Sequence, residues 1–289
     1  MCFHCVLAES PESKAAWEGE RMAVSLDGAG TKWRGKWALV TGASAGIGLA
    51  ITEQLAVART NLVITARRKE RLDALAERLK AEHQIAVEVI PADLGDPAAP
   101  GEIRRFADSK SIEVELLVNN AGFGSYGDFY KADVARQIEM VQVNCTAVVR
   151  LTHLYLGGMV ARRHGDILIV ASVAGFQAVP YVSTYAATKA FDLHFAEGIA
   201  AEVRKYGVNV CALCPGSTST EFREVAGQPE NTFRGAETAE KVARTGLQAL
   251  AEGKSSVISG FKNRMSVEGQ RLAPRGLVTS VAAKMFEPK

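Results

Sequence analysis

This chain has no long apolar run. No stretch approaches the roughly 18 residues that a membrane-spanning helix needs, so the sequence predicts no membrane span. It also lacks an excess of one charge, because 34 Lys and Arg face 32 Asp and Glu and give a formal net charge of +2. Such a balance provides no overall attraction to nucleic acid or to an anionic membrane. We therefore expect no nucleic-acid partner.

Cysteine is scarce, with five in 289 residues. Three of them lie within apolar segments and are interpreted as small core residues, namely Cys145, Cys211 and Cys214. This usage suits a reducing compartment, and we expect a cytoplasmic protein. The other two cysteines flank His4 near the N terminus, but three candidate ligands without a fourth make a poor zinc site. The sequence therefore predicts no metal.

Short apolar segments alternate with amphipathic ones from Trp37 onward. Continuous apolar strands that alternate with helices predict an α/β fold: a single-domain, Rossmann-type, doubly wound parallel sheet with helices on both faces. We place this domain at residues 34–262, after a poorly ordered N-terminal extension at 1–33. A long helix is expected over about 133–162.

The C-terminal segment 263–289 is a basic amphipathic tail. Its apolar residues recur at helical spacing, and its basic residues outnumber its two acids, Glu268 and Glu287. We favour a terminal helix that packs on the core or on a second subunit. The alternative is a peripheral membrane contact through a basic amphipathic helix.

A glycine-rich segment, T-G-A-S-A-G-I-G at 41–48, follows the first strand and opens the first helix. A parallel sheet places a nucleotide pyrophosphate at this point, against the amide groups of a helix N terminus. Glycine lets the backbone approach phosphate without a Cβ in the way. The predicted contacts are Gly42, Ser44, Gly46, Ile47 and Gly48.

The second strand ends at Ala66 and is followed by Arg67 and Arg68. An NAD site usually has an acid here that binds the ribose 2′-hydroxyl, whereas guanidinium groups bind a 2′-phosphate well. We therefore predict NADP(H) as the cofactor, with Arg67 as the first contact. The alternative is that the two arginines belong to the solvated start of the second helix.

Ser172, Tyr185 and Lys189 fall within 18 residues. The spacing of Tyr185 and Lys189 places both side chains on one face of a helix. A nearby ammonium lowers the pKa of a phenol, which normally titrates near pH 10. With a serine hydroxyl beside them, these groups suit proton transfer to or from an alcohol or ketone oxygen.

Taken in order, the motifs resemble those of the short-chain dehydrogenase/reductase family over about residues 35–260. They are the glycine-rich segment, Asp93, N-N-A-G at 119–122, Asn144, Ser172, Tyr185 with Lys189, and Pro215-Gly216. One departure is Arg59, in a turn where relatives often have glycine. It removes the easy left-handed end of the first helix.

The resemblance implies a role for each matching position. Tyr185 transfers the proton, Lys189 also binds the nicotinamide ribose, Ser172 binds the substrate oxygen, and Asn144 helps to hold a water in a proton relay. Further cofactor contacts are implied beside the adenosine and the nicotinamide: Asp93, Leu94, Asn120, Ala121, Gly122, Pro215, Gly216, Thr218 and Thr220. The resemblance also implies a homodimer or homotetramer, paired through the helices that carry Asn144 and Tyr185.

Mostly apolar residues flank these motifs and predict a substrate pocket for a small-molecule carbonyl or alcohol of hydrophobic character. They are Phe123, Val173, Phe176, Tyr181 and Phe222, and residues 221–236 match the variable lid of the family.

The predicted function is an NADP(H)-dependent oxidoreductase that interconverts a carbonyl and a secondary alcohol. The alternatives are a catalytically idle NADP-binding sensor or scaffold and a membrane-peripheral reductase of lipids or acyl ketones. A sugar-nucleotide epimerase or dehydratase is disfavoured, because the glycine spacing differs and no large C-terminal substrate domain follows.

Overall fold

The fold is built on a seven-stranded parallel sheet. A computed structural model describes residues 31–228 and 235–288. The strand order is β3-β2-β1-β4-β5-β6-β7, and every paired neighbour is parallel. The strands are β1 (Trp37–Thr41), β2 (Asn61–Thr65), β3 (Val87–Val89), β4 (Val114–Asn119), β5 (Gly165–Val170), β6 (Val208–Cys214) and β7 (Ser256–Ile258). The predicted Rossmann-type sheet is confirmed.

Helices cover both faces of the sheet. They are α1 (Gly46–Val57), α2 (Lys69–His83), α3 (Ala99–Ser109), α4 (Val134–Val141), α5 (Ala147–Arg162), α6 (Ser183–Val203), α7 (Phe222–Ala226), α8 (Ala239–Ala251), α9 (Phe261–Gln270) and α10 (Arg275–Phe286). One core joins the sheet to α1, α2 and α8, and a second joins the opposite face to α3, α4, α5 and α6. Burial on both faces explains why β5 is continuously apolar from Ile167 to Val170.

The predicted long helix at 133–162 is interrupted. A π-helical turn at Gln142–Thr146 joins α4 to α5, and Asn144 lies within it. Such turns insert a residue into a helix and recur at functional sites. Here the turn contributes three buried side chains, including Asn144 and Cys145.

The folded part begins before residue 34. Trp33 is fully buried and donates from Nε1 to Asp166 Oδ2 at 2.7 Å, while Lys32 Nζ lies 2.7 Å from Asp166 Oδ1. Asn209 Nδ2 also donates to Asp166 Oδ1, at 2.9 Å. These contacts lie at the amino end of β5. The rest of the predicted extension and the candidate ligands around His4 lie outside the described residues.

Within residues 31–228 and 235–288, none of the helices combines the length and the apolar character that a bilayer crossing requires.

Candidate active site

A cleft of about 890 Å³ opens at the carboxyl ends of the strands. The order of the sheet reverses direction around β1 and β4, and an open parallel sheet binds its ligand at such a point. Nearly all of the predicted cofactor positions line this cleft: Gly42, Ser44, Gly46, Ile47, Arg67, Arg68, Asp93, Leu94, Asn120, Ala121, Gly122, Tyr185, Lys189, Pro215, Gly216, Thr218 and Thr220.

The glycine-rich turn between β1 and α1 is shaped by close backbone approaches. Gly42 and Gly46 have φ of +67° and +56°, the left-handed region that favours glycine. Gly48 does not line the cleft, and a Cβ there would lie 2.3 Å from Gly42 O. Asn120 Nδ2 secures the turn by donating to Thr41 O at 2.8 Å. Gly48 thus permits packing within the turn, and Gly42 and Gly46 face the ligand space.

The two arginines after β2 line the cleft, and each lies close to an acidic side chain. Arg68 Nη1 donates to Glu221 Oε2 at 2.9 Å, and Arg71 Nη1 donates to Glu221 Oε1 at 2.7 Å. Hydrogen bonds from Arg71 and Arg68 lower the pKa of Glu221. Arg67 is more exposed, and its Nη1 lies 3.8 Å from Glu139 Oε1. Sequence reasoning missed Glu221, because its contact with α2 joins segments that are 150 residues apart.

Ser172, Tyr185 and Lys189 meet at the floor of the cleft. Ser172 follows β5, accepts a hydrogen bond from Ala174 N at 3.1 Å and donates to Pro215 O at 3.4 Å. Gly175 lets this turn pack against α6, since a Cβ there would lie 2.6 Å from Lys189 O. Packing at that distance sets Ser172 beside the helix that carries the other two groups.

Lys189 is held by two acceptors. Its Nζ donates to Val170 O at 2.7 Å and to Asp192 Oδ2 at 2.9 Å, and it lies 6.0 Å from the centroid of the Tyr185 ring. The sequence prediction did not include Asp192. Its position three residues after Lys189 on α6 was the available signal.

Burial and charge act in opposition on these groups. Burial raises the pKa of Tyr185 above its ordinary value, although Lys189 and a hydrogen bond with Ser172 act to lower it. Burial is the largest influence on the pKa of Lys189 and acts to lower it, but the charges of Asp192 and Tyr185 and a hydrogen bond with Asp192 together outweigh burial, and the pKa of Lys189 is raised. The site therefore keeps both the phenol and the ammonium protonated at neutral pH.

Asn144 lies behind the cleft floor and is fully buried. Its Oδ1 accepts from Phe123 N at 3.1 Å, and its Nδ2 donates to Phe123 O and to Thr188 Oγ1, each at 3.0 Å. These bonds fix the strand-end segment that follows β4 against α6. The role of Asn144 in a water relay stays a prediction.

The predicted substrate pocket is divided between the cleft and its surroundings. Phe123, Val173 and Phe222 line the cleft, and the Phe222 ring lies 5.2 Å from the Tyr185 ring. Phe176 instead is half-buried and packs against the core on the face of the sheet that α6 covers. Tyr181 has φ of +66° and lines a separate small hollow. Neither Phe176 nor Tyr181 lines the cleft.

The predicted lid at 221–236 includes α7, and its residues 229–234 lie outside the described residues.

The C-terminal helices α9 and α10 form one wall of the cleft. The lining residues of α9 are mostly polar, namely Lys262, Asn263, Ser266 and Gln270 beside Val267. Those of α10 are apolar, namely Leu277, Val278, Val281, Ala282, Met285 and Phe286, and Ala273 precedes them. Phe286 also packs against a small cluster at Val179, Val182 and Ala186. The tail thus packs on the domain, but its place beside the cleft was not predicted, because helical spacing identifies an apolar face without its partner.

Comparison with known proteins gives consistent matches. The sequence profile of a family described as short chain dehydrogenase matches residues 36–231. The chain is 31% identical over 237 residues to a 7beta-hydroxysteroid dehydrogenase of Mediterraneibacter gnavus, a match over 81% of this chain and 89% of that protein. It is 32% identical over 229 residues to a very-long-chain 3-oxoacyl-CoA reductase of Anas platyrhynchos, over 76% and 72%. A short-chain dehydrogenase from Sphingobium yanoikuyae, solved in complex with NADPH, is similar with a TM-score of 0.76 and 31% identity, over 84% of this chain and 95% of that one.

Proposed function

We propose that this chain, which belongs to the short-chain dehydrogenase family, is an NADP(H)-dependent oxidoreductase that interconverts a bulky apolar ketone and its secondary alcohol. One observation carries the proposal. Ser172, Tyr185 and Lys189 lie on the floor of a single cleft that has a glycine-rich turn and two arginines at one end and an apolar helical wall at the other.

The residues at the first end fit NADP(H). Gly42 and Gly46 leave the backbone of the turn open at the N terminus of α1, where amide groups bind a pyrophosphate. Arg67 and Arg68 supply guanidinium groups where a 2′-phosphate needs them, and no acid follows β2 directly in the sequence. The NADPH complex of the Sphingobium relative supports the same assignment.

NADP(H), when bound, supplies or accepts a hydride. The protein supplies the proton and the orientation. In reduction, the Tyr185 hydroxyl donates its proton to the carbonyl oxygen, and the Ser172 hydroxyl donates a hydrogen bond to the same oxygen and stabilises its developing negative charge. The Lys189 ammonium favours the phenolate that remains. In oxidation, Tyr185 removes the proton from the alcohol.

The apolar wall indicates the substrate class. Phe222 beside Tyr185 and the inner face of α10 offer mostly carbon atoms to a bound ligand. Such a surface favours a large apolar substrate whose reacting polar group is oriented by hydrogen bonds. The steroid and acyl substrates in the names of the two relatives are of this kind.

The experiment follows NADPH oxidation against oxosteroids, 3-oxoacyl thioesters, bulky aryl ketones and small sugars, with NADH in a parallel series. We expect turnover of one of the bulky apolar classes with NADPH. Tyr185→Phe keeps the ring but removes the proton donor, so activity should fall at least about 100-fold while NADPH still binds. Full activity in Tyr185→Phe, or a preference for NADH, would contradict the proposal. Tight NADPH binding without turnover of any ketone would favour the sensor.

Exposed apolar side chains support the proposed homo-oligomer. Val134, Ile138 and Val141 on α4, with Val149 on α5 and Phe191 on α6, are each more than a third exposed. Helical faces of this kind are stabilised by association with a second copy.

A further inference from the structure

Asp192 is a buried carboxylate beside the proposed proton-transfer group. It is 1% exposed, and its Oδ2 lies 2.9 Å from Lys189 Nζ. Its other oxygen, Oδ1, is buried without a hydrogen-bond partner among the described residues. A carboxylate that is held by one cation and otherwise unsatisfied is destabilising relative to a well-packed apolar side chain. Its presence is therefore better explained by chemistry than by folding.

Asp192 helps to fix the orientation of the Lys189 ammonium. One of its three N–H groups points to Asp192 and one to Val170 O. The third is left for the cleft, where Tyr185 and the predicted ribose site lie. A group with two fixed acceptors has its remaining donor direction fixed as well, so the geometry of Lys189 depends on Asp192.

We propose that Asp192 is a positioning residue that holds the Lys189 ammonium charged and oriented, and whose negative charge keeps the Tyr185 phenol protonated, so that the site is set to donate a proton to a ketone. The inference rests on the proposed function, since it assigns a partner to the proton-transfer group of that site. It predicts that the Tyr185 proton is available to a carbonyl oxygen at neutral pH and that reduction falls as the pH rises and Tyr185 ionises.

Among the described residues, Asp192 is the carboxylate that acts on both Lys189 and Tyr185. Within the described residues, the titratable groups that face Lys189 are Tyr185 and Asp192 on its own helix and Cys145 on the π-helical turn, and the Ser172 hydroxyl faces Tyr185 from the end of β5. Burial raises the pKa of Cys145 to about 12, so this thiol is uncharged. At the end of β6, burial likewise raises the pKa of Cys214 to about 12.

The sign of the effect follows from the charges. Burial raises the pKa of Asp192 above its ordinary value, while the charge of Lys189 and its hydrogen bond act to lower it. The 2.9 Å contact with the ammonium favours the ionised carboxylate. With Asp192 ionised, the charge of Lys189 is offset and ionisation of the Tyr185 phenol is less favourable. Without the carboxylate, the uncompensated Lys189 ammonium favours the phenolate of Tyr185, so this phenol should ionise at lower pH. Loss of Asp192 should therefore move the first deprotonation of the site downward in pH.

The first test is a spectroscopic titration of tyrosinate in cofactor-free protein. The difference between the wild type and Tyr185→Phe isolates Tyr185, and the same difference is taken in an Asp192→Asn background. We expect the Tyr185 midpoint to fall by about one pH unit or more in Asp192→Asn. An unchanged or higher midpoint would overturn the proposal.

The second test is the pH profile of kcat/KM for NADPH-dependent ketone reduction. The alkaline limb should move to lower pH in Asp192→Asn. The matched control is Asp166→Asn, which removes a carboxylate that is also 1% exposed but lies at the other end of β5. That variant should lose stability and keep the wild-type limb.

Asp192→Leu provides a second variant, with the same branching of side-chain heavy atoms, a larger volume and no charge, and should give the same shift. If neither Asp192 variant folds while Asp166→Asn does, the role of Asp192 is structural and the proposal fails. The titration needs no substrate. Wild-type protein that reduces no ketone would therefore defeat the proposed function, while the titration would still decide the influence of Asp192 on Tyr185.

Discussion

Several side chains in the cleft are bound by another protein group before a ligand enters. Asn120 is held by Thr41, Lys189 by Asp192, and Arg68 by Glu221. The first two partners are buried, whereas Arg68 and Glu221 both keep more than 40% of their side chains exposed. An exposed ion pair contributes little stability and exchanges readily with another anion. Glu221 thus occupies the guanidinium that a 2′-phosphate would use.

We expect Glu221→Gln to tighten NADPH binding and to leave NADH binding unchanged. Removal of the carboxylate frees Arg68 and Arg71 for the 2′-phosphate, which NADH lacks. The gain should be modest, roughly twofold to fivefold, because the pair is exposed. Fluorescence titration of both cofactors measures it. The matched control is Glu224→Gln, which removes the same charge one turn along α7. Equal gains for NADPH and NADH would show that Glu221 does not compete with the phosphate.

Functional residues that sequence spacing brings together could be predicted. Those that the tertiary fold brings together could not. Tyr185 and Lys189 share a helical face by their separation alone, and the glycines are identified by their place after a strand. Asp192 was within reach of the same argument, but a short acidic residue on a helix is normally solvated. Its burial depends on β5 and the π-helical turn, which the local sequence does not specify.

At the scale of single elements, helix ends show strain that the sequence only partly indicates. Arg59 was expected to remove a left-handed helix end, yet it adopts φ of +61° and its guanidinium donates to His83 O. Gln84 ends α2 with φ of +52°. Left-handed backbone is unfavourable for residues with a Cβ by about 1–2 kcal/mol, so the packing of the sheet imposes these turns.

Replacement of Gln84 by glycine should stabilise the protein. Gln84 is exposed, and its backbone N–H donates the hydrogen bond to Lys80 O that ends the helix. Glycine would keep this bond. Glycine accepts the left-handed conformation without the Cβ penalty, and after its own entropy loss the expected gain is about 0.5–1 kcal/mol in the free energy of unfolding. Urea denaturation measures this change. Gln84→Ala keeps the Cβ and should give no gain. Similar stabilisation by both substitutions would exclude backbone strain as the cause.

The strands were the most predictable elements, because burial on both faces leaves continuous apolar runs such as those of β4, β5 and β6. The interruption at Gln142–Thr146 could not be predicted, since all its residues are compatible with an ordinary helix. The position of α9 and α10 could not be predicted either, because an amphipathic pattern does not indicate which surface the apolar face covers.

At the scale of the whole molecule, the order of the motifs along the sequence was sufficient to predict the family. The predicted membership of the short-chain dehydrogenase/reductase family is confirmed by the match over residues 36–231. Association with a second copy stays a prediction. It depends on apolar side chains of α4, α5 and α6 that are more than a third exposed in one chain.

Phe191→Arg should convert the proposed oligomer into smaller species. Phe191 on α6 is 40% exposed and stacks on Phe195 at 5.6 Å. A charge in the centre of an apolar interface is desolvated without a partner and opposes association. Light scattering coupled to gel filtration gives the mass. Leu272→Arg, at a site that is 91% exposed outside these helices, should leave the mass unchanged. A wild-type monomer would contradict the prediction directly.

The hydrogen bonds of Lys32, Trp33 and Asn209 to Asp166 have a practical consequence for protein engineering. Asp166 lies at the amino end of β5, and Ser172 follows the carboxyl end six residues later, about 20 Å away along an extended chain. Substitutions at sites this far apart, with no shared partners, usually combine additively. Heat tolerance can therefore be evolved around Lys32, Trp33 and Asn209 separately from substrate selectivity, and the two sets of changes joined afterwards in one chain.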